Sequence, residues 1–174
     1  MFLADLVDYC HRHAVDIVFP MVDRTTSLLA RHKDRVEQAG VLVGAADWGQ
    51  FLAANDKRLL FERVADCDVP APATYSVNDT TELAGLAEVV PYPAVVKPRR
   101  TTVWDETGRC HSNRISASEY AEDPDDLVDT YRAYLQRHPH LKRELPLVQE
   151  YIEGETVDSV VLADDGDVVA SFQQ

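Results

Sequence analysis

Apolar and polar positions alternate along the chain in a pattern that predicts a mixed α/β protein. Residues 2–13 read as a short amphipathic helix, and residues 15–20 (VDIVFP) as a buried strand ended by proline. Residues 23–38 predict a second helix closed by Gly40, and residues 41–44 a short strand. Helix, strand, helix, strand is the rhythm of a parallel sheet, and because it opens on a helix a first strand is expected upstream. Asp47 is placed to cap a helix over WGQFLAAN, and residues 56–66 predict the next helix, which stops near Val69-Pro70-Ala71-Pro72. That Pro-x-Pro is the best internal boundary. Beyond it come a short strand at 74–76, a helix from 78 or 79 to about 89, and a strand at 94–97. Residues 99–118 are polar and aperiodic, a mobile loop with room for an embedded hairpin. A helix is predicted over 124–137, ended by His138-Pro139-His140, then an apolar strand over 147–152 and a hairpin around Asp164, Asp165, Gly166 and Asp167.

Composition narrows the class. At 174 residues and 45% hydrophobic content, the chain can form one domain or two small lobes with a sizeable core. No run approaches the length of a membrane span, and the N-terminus carries acids and histidines where a signal peptide needs a basic start, so a soluble, cytoplasmic protein is expected. Cys10, Cys67 and Cys110 form no CxxC pattern and read as reduced thiols. The formal charge is −13, with Asp outnumbering Glu, 13 arginines and four lysines. A dispersed acidic surface low in lysine predicts a protein hydrated in a salt-rich, halophilic cytoplasm, and it argues against nucleic acid as a partner. It also repels ATP, so any nucleotide site must be a local basic exception.

Three segments carry candidate chemistry. In YPAVVKPRR the strand ends at Lys97, because Pro98 cannot donate a ladder hydrogen bond, and Arg99 and Arg100 follow. Read alone, Lys97 either meets an anion in a cleft or snorkels to water. Lys57 stands in the first turn of a helix, where the helix dipole disfavours a cation; it is held there for an anion, or it is a surface lysine beside Asp56. In LVQEYIEGET an apolar strand gives way to carboxylates and a glycine. Glu150 and Glu155 can accept hydrogen bonds from an exocyclic amine and from ribose hydroxyls, and they can equally be a sheet-edge glutamate and a turn.

Together these segments resemble the ATP-grasp superfamily, in particular its carboxylate-amine ligases, and ADCDVPAPATY resembles that family's connection into its core. The resemblance implies an α/β fold in three parts: a partial Rossmann-like pre-ATP-grasp domain with linking helix at 1–72, the small nucleotide-binding lobe at 73–149, and a truncated start of the C-terminal lobe at 150–174. It implies that Lys57 and Lys97 hold the phosphates of ATP, with Arg99 or Arg100 as weaker helpers. Glu150 would contact the adenine, the main chain around Tyr151 and Ile152 the base, and Glu155 the ribose. The implied reaction activates a carboxylate as an acyl phosphate that an amine attacks. Two departures stand out. The loop at 99–118 has only Gly108 where the family has a Gly/Ser-rich flap, with threonines and Ser112 as partial substitutes. No match is found for the half that binds Mg2+, so the chain is expected to be catalytically incomplete alone. A homo-oligomer or a complementary second-half chain are the expected partners, and a non-catalytic binding module or a gene remnant is the alternative.

Other clusters are weaker. His11 and His13 lie two apart on a helix and cannot chelate together. His138 and His140 read as helix-end residues, and the Asp164, Asp165 and Asp167 group as hairpin-turn residues lacking the EF-hand pattern. No GxSxG or Walker A motif occurs.

Overall fold

The structure is a computed structural model that describes residues 2–113, 116, 119–164 and 166–174. Part of the expected 99–118 loop (Arg114, Ile115, Ala117 and Ser118) and Asp165 of the hairpin turn lie outside the described residues.

The N-terminal elements are α1 (Phe2–Arg12), β1 (Ile17–Val18), α2 (Asp23–Arg31), α3 (Lys33–Glu37) and β2 (Leu42–Val43). β1 and β2 pair in parallel, Ile17 opposite Leu42 and Val18 opposite Val43. Their inner face packs with Cys10, Leu29, Val36 and Val41 into one small core. The expected helix over 23–38 is broken at His32. The break accompanies a tertiary demand on the next residue, since the Lys33 ammonium reaches the Ala45 carbonyl (3.0 Å) and the Asp47 carboxylate (2.9 Å). Gly40 follows α3 at φ 85°, a left-handed turn that glycine adopts without steric cost.

Two linking helices follow, α4 (Trp48–Asn55) and α5 (Lys57–Val64). Gln50 Oε1 accepts the Asp47 N–H at the start of α4, and Asp56 caps α5 by accepting the Arg58 N–H at 3.0 Å.

The larger unit is a four-stranded sheet. Its strands are β3 (Thr74–Ser76), β4 (Ala94–Lys97), β7 (Tyr120–Ala121) and β8 (Leu147–Glu150), in spatial order β3-β8-β4-β7 and antiparallel throughout. The helix expected from 78 or 79 to 89 is a 3-10 turn at Thr80–Glu82 leading into the short α6 (Leu83–Ala87). Helix α7 (Pro124–Arg137) is capped by Asp123, which accepts the Asp126 N–H at 2.9 Å. It buries Leu127, Tyr131, Tyr134 and Leu135 against Ala94, Val96 and Val148 of the sheet. A 3-10 segment, Pro139–Arg143, leads into β8.

The polar loop does contain a hairpin, β5 (Thr102–Trp104) with β6 (Cys110–Ser112), and Gly108 at φ 77° lies in its turn. The last hairpin is β9 (Ser159–Asp164) with β10 (Asp167–Gln173), bulged between Val168 and Ala170 and exposed along its whole length. Among the described residues, no helix is long and apolar enough to cross a membrane.

Candidate nucleotide site

Register decides which side chains share a surface. Directly paired residues of antiparallel strands point to one face, and β4 pairs with β8 so that Lys97 lies opposite Leu147, Val95 opposite Gln149 and Ala94 opposite Glu150. One face therefore carries Lys97, Val95, Leu147 and Gln149, together with Thr74, the β3 partner of Gln149. The other carries Ala94, Val96 and Val148 and is covered by α7.

Lys97 sits half-buried at its strand end, as the position of Pro98 requires. Its ammonium donates to Gln149 Oε1 at 2.7 Å, and Gln149 Nε2 donates to Thr74 Oγ1 at 2.8 Å. Gln149 is 4% exposed and is the one site residue that the sequence reading passed over. The signal was present: a polar residue inside an apolar strand, with the alternation that brings it onto the face of Lys97.

Lys57 comes from a different element yet acts on the same space. Burial lowers the Lys97 pKa, and the Lys57 charge lowers it further. Burial likewise lowers the Lys57 pKa against the opposing pull of Asp23 and Asp56. Among the described residues the Lys57 ammonium makes no hydrogen bond or ion pair, and neither lysine is paired with a carboxylate. Two partly desolvated ammonium groups that act on each other and face no carboxylate have the chemistry to receive an anion.

Arg99 and Arg100 do something else. Arg99 holds Asp56 in a two-pronged pair, Nε to Oδ1 at 3.0 Å and Nη2 to Oδ2 at 2.6 Å. Burial pushes the Asp56 carboxyl up, but the hydrogen bonds and charge of Arg99 outweigh it and the pKa is lowered. The Lys57 N–H also donates to the Arg99 carbonyl at 3.0 Å, so the start of α5 is fastened to the end of β4. Arg100 is clamped in the same way on Glu144. Both guanidiniums are committed within the protein, and Arg99 braces the start of α5 through Asp56.

The second segment divides between two tasks. β8 ends at Glu150, two residues before the expected end at 152, because the edges beyond it close on single bonds: Glu150 N–H to Ala73 O (2.9 Å) and Tyr151 N–H to Pro93 O (3.0 Å). Glu150 falls by register on the helix-covered side, and its Oε2 accepts the Ala73 N–H at 2.9 Å. The Tyr151 ring lies edge-on to Tyr120. The Ile152 N–H and the Glu155 carboxylate have no partner among the described residues, and both residues are exposed. Lys97 and Glu150 stand about 10 Å apart along the strand pair, at three residue steps of about 3.4 Å.

The β5–β6 hairpin is docked at both ends. Trp104 Nε1 donates to Ser27 Oγ of α2 at 2.9 Å. His111 bonds the Asp105 carboxylate (2.7 Å) and stacks on His140 at 4.2 Å, and His140 Nε2 meets Asn113 Oδ1 at 2.8 Å. The threonines expected to face phosphates are used inside the hairpin: Thr102 is buried, and the Thr107 hydroxyl and N–H both donate to Asp105. His11 bonds the Ala39 carbonyl and His13 packs on Tyr9, so they do not converge. Among the described residues no group of three or more His, Cys, Asp or Glu is arranged to hold a metal ion.

No family model matches the chain, and no curated protein matches it by sequence. Solved structures do match in fold. The biotin carboxylase domain of the Hydrogenobacter thermophilus 2-oxoglutarate carboxylase, solved with MgADP, ADP and bicarbonate, superposes with a TM-score of 0.58 at 18% identity, over 87% of this chain and 31% of that one. A RimK-domain ATP-grasp protein of Sphaerobacter thermophilus gives 0.54 at 18% identity, over 91% and 55%. The D-alanine–D-alanine ligase of Bacillus anthracis gives 0.51 at 13% identity, over 97% and 57%. The chain thus spans between a third and just over half the length of these proteins, and over that span it shares their mixed α/β fold.

Proposed function

We propose that this chain is the ATP-binding portion of an ATP-dependent carboxylate-amine ligase. The observation that carries the reading is the pair Lys57 and Lys97, brought together by the Lys57 N–H bond to the Arg99 carbonyl at 3.0 Å and with no carboxylate paired to either ammonium among the described residues. In this reading they hold the phosphates of ATP, and Gln149 aims Lys97. The free Ile152 N–H donates to a ring nitrogen of the base, Tyr151 frames it through its main chain, and Glu155 accepts from the ribose. Glu150 contributes through its remaining oxygen while its other oxygen braces Ala73. Magnesium would supply charge neutralisation on the phosphates when bound; the residues described here fit the nucleotide, and we assign no ligand set to the metal.

The proposed partition is a pre-ATP-grasp unit with linking helices at 1–72, a nucleotide-binding lobe at 73–149, and the start of a further lobe at 150–174. This chain's share of the reaction is nucleotide binding, with the acyl phosphate and amide steps belonging to the complete ligase fold. The β9–β10 hairpin bears Val160, Leu162, Ala170 and Phe172 on one exposed face, and a second copy or a complementary chain is proposed to cover it.

Calorimetry with ATP and magnesium tests the reading. Saturable binding is expected, weakened at least tenfold by Lys97→Ala and by Lys57→Ala, while unaltered binding in both variants would sink it. Amide formation by the purified chain would extend the assignment from binding to the whole reaction.

A further inference from the structure

A second cavity has neither Lys57 nor Lys97 in its lining. It has a volume of about 450 Å³ and opens between the first turn of α1, the N-terminal half of α2, α3 and the β5–β6 hairpin. Its lining is mostly apolar, with Phe2, Leu3, Leu28 and Trp104. Two cations stand in this lining, Arg24 from α2 and Arg35 from α3. Five other arginines (Arg58, Arg99, Arg100, Arg137 and Arg143) are each held by a carboxylate. Arg24 and Arg35 are not: among the described residues their guanidiniums, like those of Arg63, Arg109 and Arg132, make no ion pair or hydrogen bond, but these two alone share an apolar lining.

An apolar pocket of ordinary ligand size with a few converging polar groups is the usual form of a small-molecule site. Guanidinium forks match a carboxylate in shape as well as charge, and they tolerate partial desolvation better than ammonium groups. The flat Trp104 ring and Phe2 favour a flat or slender apolar body. We infer that this cavity binds a small carboxylic acid with an apolar, phenyl-sized body, its carboxylate between Arg24 and Arg35.

The position gives the acid a role. Trp104 lines this cavity and also the cleft that holds Asp56 and Arg99, the residues that fasten the start of α5, so the cavity adjoins the region of the phosphate lysines. The acid is then the carboxylate that the ligase would activate; this role rests on the proposed function, whereas the binding itself does not.

The test is a fluorescence titration of the full chain without nucleotide, in a Trp48→Phe background so that Trp104 alone reports. Phenylacetate is the probe and phenylacetamide its uncharged isostere. Saturable quenching by phenylacetate is expected, at least tenfold weaker with the amide and at least tenfold weaker in Arg24→Gln/Arg35→Gln, and unchanged in Arg63→Gln, an exposed arginine at the far end of α5. Thermal melts establish that the variants fold, which their exposed positions favour. No saturable change up to roughly 5 mM phenylacetate, or equal binding of the amide, overturns the inference. Because nucleotide is absent, failure of the ATP reading leaves this result untouched, and failure here leaves ATP binding by calorimetry untouched.

Discussion

Single residues in this protein carry opposed demands. Asp56 is 3% exposed and works twice, as the cap of α5 and as the counter-charge of Arg99. Asp56→Ala should cost about 1 kcal/mol for the lost cap and about 3 kcal/mol more for leaving a partly buried guanidinium uncompensated, read as a lowered midpoint in urea. The lysines impose a pH dependence. Both have pKa values below the ordinary 10.5, first through burial and, for Lys97, through its neighbour's charge. In the proposed function their protonated forms attract phosphate, so nucleotide affinity should hold across neutral pH and fall as pH rises, with its midpoint below 10.5. Calorimetry at several pH values checks the direction; a midpoint at or above 10.5 would contradict it. At this scale the sequence was legible where a residue type conflicts with its position. A lysine at a helix start and a lysine before a strand-ending proline both announced themselves. Gln149 did not, because its meaning lies in a partner 52 residues away, and the engagement of Arg99 and Arg100 depends on carboxylates 43 and 44 residues distant.

Among the elements, the β5–β6 hairpin has the most to respond to. Its ring stack joins His111 to His140, with Asp105 on the outer imidazole, Asn113 and His138 beside the inner one, and the Glu106–Arg143 pair at the rim. Burial lowers the His140 pKa below its ordinary 6.5, the two neighbouring histidines add to the shift, and Asp105 opposes it. A depressed folded-state value means the folded form prefers neutral His140, so stability present above about 6.5 is lost as pH falls. Hydrogen exchange within residues 102–112 should therefore accelerate, after correction for intrinsic rates, between about pH 7 and pH 5, and His140→Gln should flatten that response. Elements with a strong local cause were readable: α7 from its Asp123-Pro124 start, α5 from Asp56, and the last hairpin from its aspartates and Gly166. Lengths were legible for β3, β4, α4 and α7, whose expected spans match, but not for β1 and β8, because strands last only as long as a partner does. Residues 15–20 shrink to two paired residues opposite Leu42 and Val43, and β8 stops where Ala73 and Pro93 end its ladder.

For the molecule as a whole, charge sets the stability. A net −13 spread along the chain repels itself at low ionic strength, and screening shortens that repulsion to about 8 Å at physiological salt. The melting temperature should rise with potassium chloride, steeply at first and more gently toward molar concentrations; a flat or falling curve would refute the electrostatic account. Against that background the fastening of α5 to β4 gains a thermodynamic meaning. The Asp56–Arg99 pair and the Lys57 N–H bond to Arg99 hold two ammonium groups together before any ligand is present. In the proposed function, a bound polyanion relieves the repulsion between them. Selectivity among nucleotides should then follow the number of phosphates before the identity of the base, with ATP ahead of ADP and ADP ahead of AMP, and tripolyphosphate competing without any base at all.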